Sequence, residues 1–129
     1  MSAITPNKDQ FRELAGSPDE GPVVMVNLLK FGGGDGAREY DAYGSAATRM
    51  IGEGGGRVLY VGRCDQVLIG DTAAEDWDAV ALVEYPSRKA FIEMVGRKDY
   101  QAAHEHREAG LIRTVVLATT PRTAPESRG

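Results

Sequence analysis

Residues 22–31 read PVVMVNLLKF, and how this decapeptide is read decides the fold. Val23, Met25, Leu29 and Phe31 fall on one parity and Val24, Val26 and Leu28 on the other, so the segment is an extended strand apolar on both faces. Such a strand needs cover above and below. Downstream, Gly32, Gly33, Gly34, Asp35 and Gly36 break the pattern. Arg38–Ile51 restores it at helical spacing, with Tyr40, Tyr43, Ala47, Met50 and Ile51 along one side. Gly52, Gly54, Gly55 and Gly56 end that helix, and Arg57–Ile69 reads as extended, with a bulge or tight turn near Cys64–Asp65. After a polar connection over Asp71–Asp76, Asp78–Tyr85 (DAVALVEY) is a strand that Pro86 ends. Ser87 is a natural N-cap for a helix with Phe91, Met94 and Val95 inward, and Asp99 can cap a further segment to Ala109 before the Gly110 stop. Leu111–Thr119 is the last strand. Upstream, Thr5–Gly16 carries a capping Thr, a Pro at the first helical position and a Gly stop, which predicts a short leading helix.

The order strand, helix, strand, strand, helix, strand predicts an α+β, ferredoxin-like βαββαβ domain: a four-stranded antiparallel sheet with both main helices on one face. The domain spans residues 1–119, and residues 120–129 have the composition of a flexible tail. The opposite sheet face is left bare, and the cheapest cover is a second copy, so a homodimer is expected. About five large apolar side chains per subunit, at roughly 1.5–3 kcal/mol each, contribute a gross 15–30 kcal/mol to the pair. Association costs are about 4–15 kcal/mol, so pairing wins.

Composition excludes several classes. Of 129 residues, 42% are hydrophobic and 26% charged, which suits a globular domain and rules out disordered or collagen-like chains. A net charge of −4 supplies no positive field for nucleic acid or anionic lipid. No apolar run approaches the roughly 18–20 residues that span a bilayer, and the charged first twenty residues hold no signal-peptide core, so a cytoplasmic location is expected. The single Cys64 forms no internal disulfide and has no Cys or His at zinc-ligand spacing; neither metal nor cofactor is expected. Glu75, Asp76 and Asp78 around Trp77 read as a solvated turn, and Gly32–Ala37, although it fits G-x-G-x-x-A, as a flexible connection and not a dinucleotide fingerprint.

The segments GPVVMVNLLKF, EYDAYGSAA, GGRVLYVGR, WDAVALVEYPSRKAFIEMV and DYQAAHEHREAGL resemble a bacterial family of uncharacterised small proteins in the dimeric α+β barrel superfamily. The resemblance runs from about Pro6 to Ala118. Its most specific parts are the VNLLKF strand, the Tyr40/Tyr43 pair, the EYPS corner, and Tyr100 followed seven residues later by Arg107. It implies the barrel-forming dimer. The superfamily's cofactor-free oxygenases, polyketide cyclases, haem-handling proteins and apparent non-enzymes imply no single reaction.

On the helix after Asp99, Tyr100, Ala103, His104 and Arg107 fall at i, i+3, i+4 and i+7, so one stripe carries a phenol, an imidazole and a guanidinium. His106 points elsewhere. Tyr40 and Tyr43 lie on the core stripe of the first main helix, and the two stripes converge on the sheet, where small ligands are commonly held. In the catalytic reading His104 moves a proton near neutral pH, and Arg107 with Tyr100 holds a carboxylate or enolate. Tyr40 and Tyr43, with Asn27 and Glu84, bind substrate. The alternative for all of these side chains is structural: rings packed in the core, Arg107 lying over its helix, and Glu84 paired with Arg63, Arg113, Arg107 or Asn27.

Three functions compete on this evidence. The first is a cofactor-independent enzyme that transfers protons on a small aromatic, ketide or carbonyl compound. The second is a dimer that binds a small organic ligand without turning it over. The third is a structural dimer with a sealed core and no pocket.

Overall fold

The computed structural model describes residues 6–122. Along the chain lie α1 (Lys8–Ala15), β1 (Val23–Phe31), α2 (Gly36–Glu53), β2 (Arg57–Arg63), β3 (Ala79–Tyr85), α3 (Arg88–Val95), α4 (Lys98–Gly110) and β4 (Leu111–Thr119). The four strands form one antiparallel sheet in the order β2-β3-β1-β4, the ferredoxin-like arrangement.

Register sorts the two parities of β1. Met25 faces Val83 on β3 and Ala118 on β4, and this parity turns toward the helices. There Val23, Met25, Leu29, Ala81, Val83 and Tyr85 are buried with Ala47, Met50 and Ile51 of α2 and Met94, Tyr100 and Ala103 of α3 and α4. The other parity, Val24, Val26 and Leu28 with Val80, Leu82, Val115 and Leu117 beside them, has no layer over it among the described residues. Leu117 is 51% exposed and Tyr60 56%.

Several boundaries move for identifiable reasons. The leading helix begins at Lys8: Asn7 Oδ1 accepts from Gln10 N at 2.8 Å and Gln10 Oε1 accepts from Asn7 N at 3.1 Å, a closed capping box. Pro6 therefore precedes the helix, and Thr5, expected as its cap, lies outside the described residues. β2 stops at Arg63 instead of running to Ile69: β3 begins at Ala79, opposite Arg63, and beyond that pair a single backbone bond, Cys64 N to Asp78 O at 2.9 Å, closes the ladder. Its irregularity sits between Val58 and Tyr60, not near Cys64. α4 starts after Arg97, so Asp99 lies within the first turn; its carboxylate accepts from Tyr100 N at 3.0 Å and from Arg97 Nη2 at 2.7 Å. Of the expected tail, Thr120 is tied in, accepting from Arg88 Nη2 at 3.0 Å, and residues 123–129 lie outside the description.

α2 and α4 cross where two glycines meet. A Cβ on Gly110 would stand 2.6 Å from Gly36 O and 2.8 Å from Tyr40 N, so only glycine lets the end of α4 reach the start of α2. That contact brings the Tyr40 and Arg107 stripes together.

Candidate functional site

Helical spacing turns the two stripes toward each other as well as toward the sheet. Tyr43 and Tyr100 share a hydrogen bond of 2.9 Å between hydroxyls, with rings edge to face at 5.9 Å. Tyr40 packs on Tyr43 at 5.4 Å and on Phe31 at 5.6 Å. One turn along α4 from Tyr100, the His104 ring lies 5.8 Å away. Arg107, one turn further, is 5% exposed, its guanidinium carbon 5.9 Å from the centre of the Tyr43 ring. A guanidinium remains charged when buried, and the faces of tyrosine rings are among the few apolar surfaces that favour a cation.

These groups perturb one another. Burial, reinforced by neighbouring Tyr43, pushes the Tyr40 hydroxyl up to about 12, while Arg107 pulls it back. Burial raises Tyr43, Tyr85 and Tyr100 in the same direction, and Arg107 again opposes it, so all four phenols stay protonated near neutral pH and act as donors. His104 moves below its ordinary 6.5, first through burial and then through repulsion by Arg107, with Glu108 opposing. Its Nε2 lies 4.0 Å from Glu108 Oε2, whereas Nδ1 is buried with no hydrogen-bond partner. His106 is outside the cluster, with its Nδ1 2.8 Å from Glu39 Oε1 at the surface.

Tyr40, Tyr43, Tyr100, His104, Arg107 and Asn27 all line one solvent-open cavity of about 1790 Å³ between the helices and the sheet. Asn27 projects from β1 on the helix side, its Nδ2 bonded to Met25 O at 3.2 Å and Ala81 O at 3.3 Å. Glu84 is not brought to this place. It pairs in register with Val24 on the bare face, and its Oε1 accepts from Arg57 Nε at 2.9 Å, a partner that sequence did not propose. Sequence reading also missed Tyr85 and Arg88, both of which line the cavity. The parity of Tyr85 with Ala79, Ala81 and Val83 was the available signal. The acidic turn is internally satisfied: Trp77 Nε1 donates to Glu75 at 2.9 Å, Arg113 bonds Asp76 at 2.7 Å and covers the indole at 4.0 Å, and Asp78 accepts from Phe31 N at 2.8 Å. No helix among the described residues is long and apolar enough to cross a membrane.

A ferredoxin-like α+β domain with a tyrosine-lined cavity under its helices is thus the class that fold and site define. The model of a domain of unknown function, DUF1330, matches residues 35–120, and the chain belongs to that family. The RPA0582 protein of Rhodopseudomonas palustris, of unknown function, is 32% identical, with a TM-score of 0.86 over 95% of this chain and 98% of its own. SnoaB, a cofactor-independent oxygenase from Streptomyces nogalater, shares the fold at 13% identity, with a TM-score of 0.58 over 83% of this chain and 99% of its own. A dimeric protein of unknown function and ferredoxin-like fold from Bacteroides fragilis does so at 12% identity, with a TM-score of 0.53 over 78% of this chain and 96% of its own. None of the curated proteins matches the chain. The expected resemblance to a family of uncharacterised proteins is borne out, and the structural neighbours share its ferredoxin-like fold.

Proposed function

We propose that the protein is a cofactor-independent enzyme that moves a proton on a small aromatic, ketide or carbonyl compound held in the cavity beneath α2 and α4. The observation that carries this is the buried, unsatisfied Nδ1 of His104 beside the buried cation Arg107 on one cavity wall. Burial and Arg107 keep the imidazole neutral at pH 7, which is the form a base requires. His104 takes the proton from an acidic O–H or C–H of the substrate. Arg107 then faces the resulting phenolate or enolate. In the Tyr43–Tyr100 pair one hydroxyl donates to the other, and the accepting hydroxyl keeps its own proton to offer to that anion. The SnoaB likeness supports the absence of a cofactor only as an analogy of fold.

The protein acts in this reading as a homodimer in the cytoplasm, two copies covering each other's bare sheet faces. The apolar parity of β1 and the dimeric Bacteroides fragilis neighbour support the pairing.

Proton transfer is tested without knowing the product by following deuterium uptake at the acidic C–H of 1,3-dicarbonyl and hydroxyaryl probes in D2O by NMR. The wild-type chain accelerates exchange, and His104→Ala loses about 10²–10⁴-fold of that acceleration. Binding of the probes without any exchange would replace the enzyme with a non-catalytic small-molecule carrier, the second reading that an open cavity favours.

A further inference from the structure

Among the described residues, two buried side-chain nitrogens lack a hydrogen-bond partner: Nδ1 of His104 and Nη1 of Arg88. Both residues line the same cavity. A buried polar nitrogen without a hydrogen bond is costly, and the coincidence of two such atoms on residues of one hollow points to where a ligand's polar groups belong.

Arg88 opens α3 with its side chain only 13% exposed. Its Nη2 is occupied, donating to Thr120 Oγ1 at 3.0 Å, while Nη1 makes a long ion pair with Asp19 Oδ1 at 3.8 Å but no hydrogen bond. One helical turn on, Phe91 packs edge-on against Tyr85 at 5.1 Å, and Tyr85 belongs to the electrostatic neighbourhood of Tyr40, Tyr43 and Arg107. An aromatic wall therefore connects Arg88 with the His104 and Arg107 stripe. The charged residues lining the cavity are Lys8, Arg12, Arg88, Arg107 and Arg113 with the carboxylate of Glu13, and of these cations Arg12 pairs with Asp9 at 3.3 Å, Arg113 with Asp76 at 2.7 Å and Arg88 with Asp19 at 3.8 Å.

We infer that the cavity takes an elongated aromatic acid, whose carboxylate is met by Nη1 of Arg88 and whose flat body lies along Phe91 and Tyr85. Its hydroxyl or carbonyl oxygen is then directed toward His104 and Arg107. A planar guanidinium matches a carboxylate better than it matches any neutral oxygen, which is why the Arg88 end selects the charged group. This rests on the reading of the cavity as a ligand site and adds a carboxylate subsite to it.

The probes are 4-hydroxycinnamate and its methyl ester, titrated calorimetrically. The wild-type chain should bind the acid about ten-fold more tightly than the ester, as one charge-assisted hydrogen bond requires. Arg88→Met should bring the acid down to the ester's affinity and leave the ester unchanged, and Arg88→Lys should recover part of the preference. Circular dichroism verifies that the variants fold. Should Arg88→Met fail to fold, the wild-type Arg88 Nε–H resonance decides, shifting with the acid and not with the ester. Equal affinities for acid and ester, or a preference that survives Arg88→Met, overturn the carboxylate subsite alone. If neither probe binds, both the subsite and the ligand-site reading fall.

Discussion

Arg107 is buried to 5% exposure beside the Tyr43 ring, and its charge is felt by Tyr40, Tyr43, Tyr85, Tyr100 and His104. His104 has a lowered pKa, so the folded chain binds fewer protons there than the unfolded chain does. Stability is therefore undiminished above about 6.5 and declines as pH falls through 6.5 toward the folded pKa. Arg107→Met removes the second cause of the lowering, and an NMR titration of the imidazole should show the His104 pKa rising while staying below 6.5, since burial persists. An unmoved titration curve would mean that the two side chains do not sense each other. At the same scale, Tyr43→Phe leaves the Tyr100 hydroxyl without its partner and should cost about 1–2 kcal/mol in urea unfolding. Combined with Tyr100→Phe the loss should be less than the sum of the single losses, and strict additivity would show that the hydrogen bond is not made in solution.

Elements are positioned by close backbone approach. Gly110→Ala places a methyl group against Gly36 O and Tyr40 N, backbone atoms that yield only if α2 and α4 separate. The expected loss is about 1–3 kcal/mol of stability, with Tyr40 moving away from Arg107, and an unchanged melting temperature would contradict the crossing. The connection from Cys64 to Asp78 behaves differently. Leu68 and Ile69 are 84% and 92% exposed, so replacing both with Ser should change unfolding free energy by no more than about 0.5 kcal/mol. The same two residues explain why β2 looked longer in sequence. Val67, Leu68 and Ile69 form an apolar run with two β-branched residues that local pattern cannot tell from a strand, and only the lack of a facing partner excludes it. β4 was legible to the residue, because a β-branched run is bounded by Gly110 before and Pro121 after.

At the scale of the whole molecule the bare sheet face dominates. Leu117 is half exposed in the single chain, so Leu117→Glu should leave the fold intact while setting a carboxylate against an apolar face in the proposed pair. Sedimentation velocity should then show single chains for this variant and pairs for the wild type. A wild-type protein that sediments as a single chain would dispose of the dimer.

What the sequence alone determined is what local pattern and chain order control: the βαββαβ order, the two-sided strand Val23–Phe31, and the Tyr, His and Arg stripes that helical period places on single faces. The tertiary structure decided what depends on register and approach between distant segments. Pairing of Glu84 with Val24 carried that carboxylate to the face opposite Asn27, because strand side chains alternate and one residue of register exchanges the faces. The crossing at Gly36 and Gly110 joined Tyr43 to Tyr100, and the corner after Tyr85 brought Arg88 to the cavity that His104 also lines. No one-dimensional pattern contains such distances, since they are set by how whole elements pack.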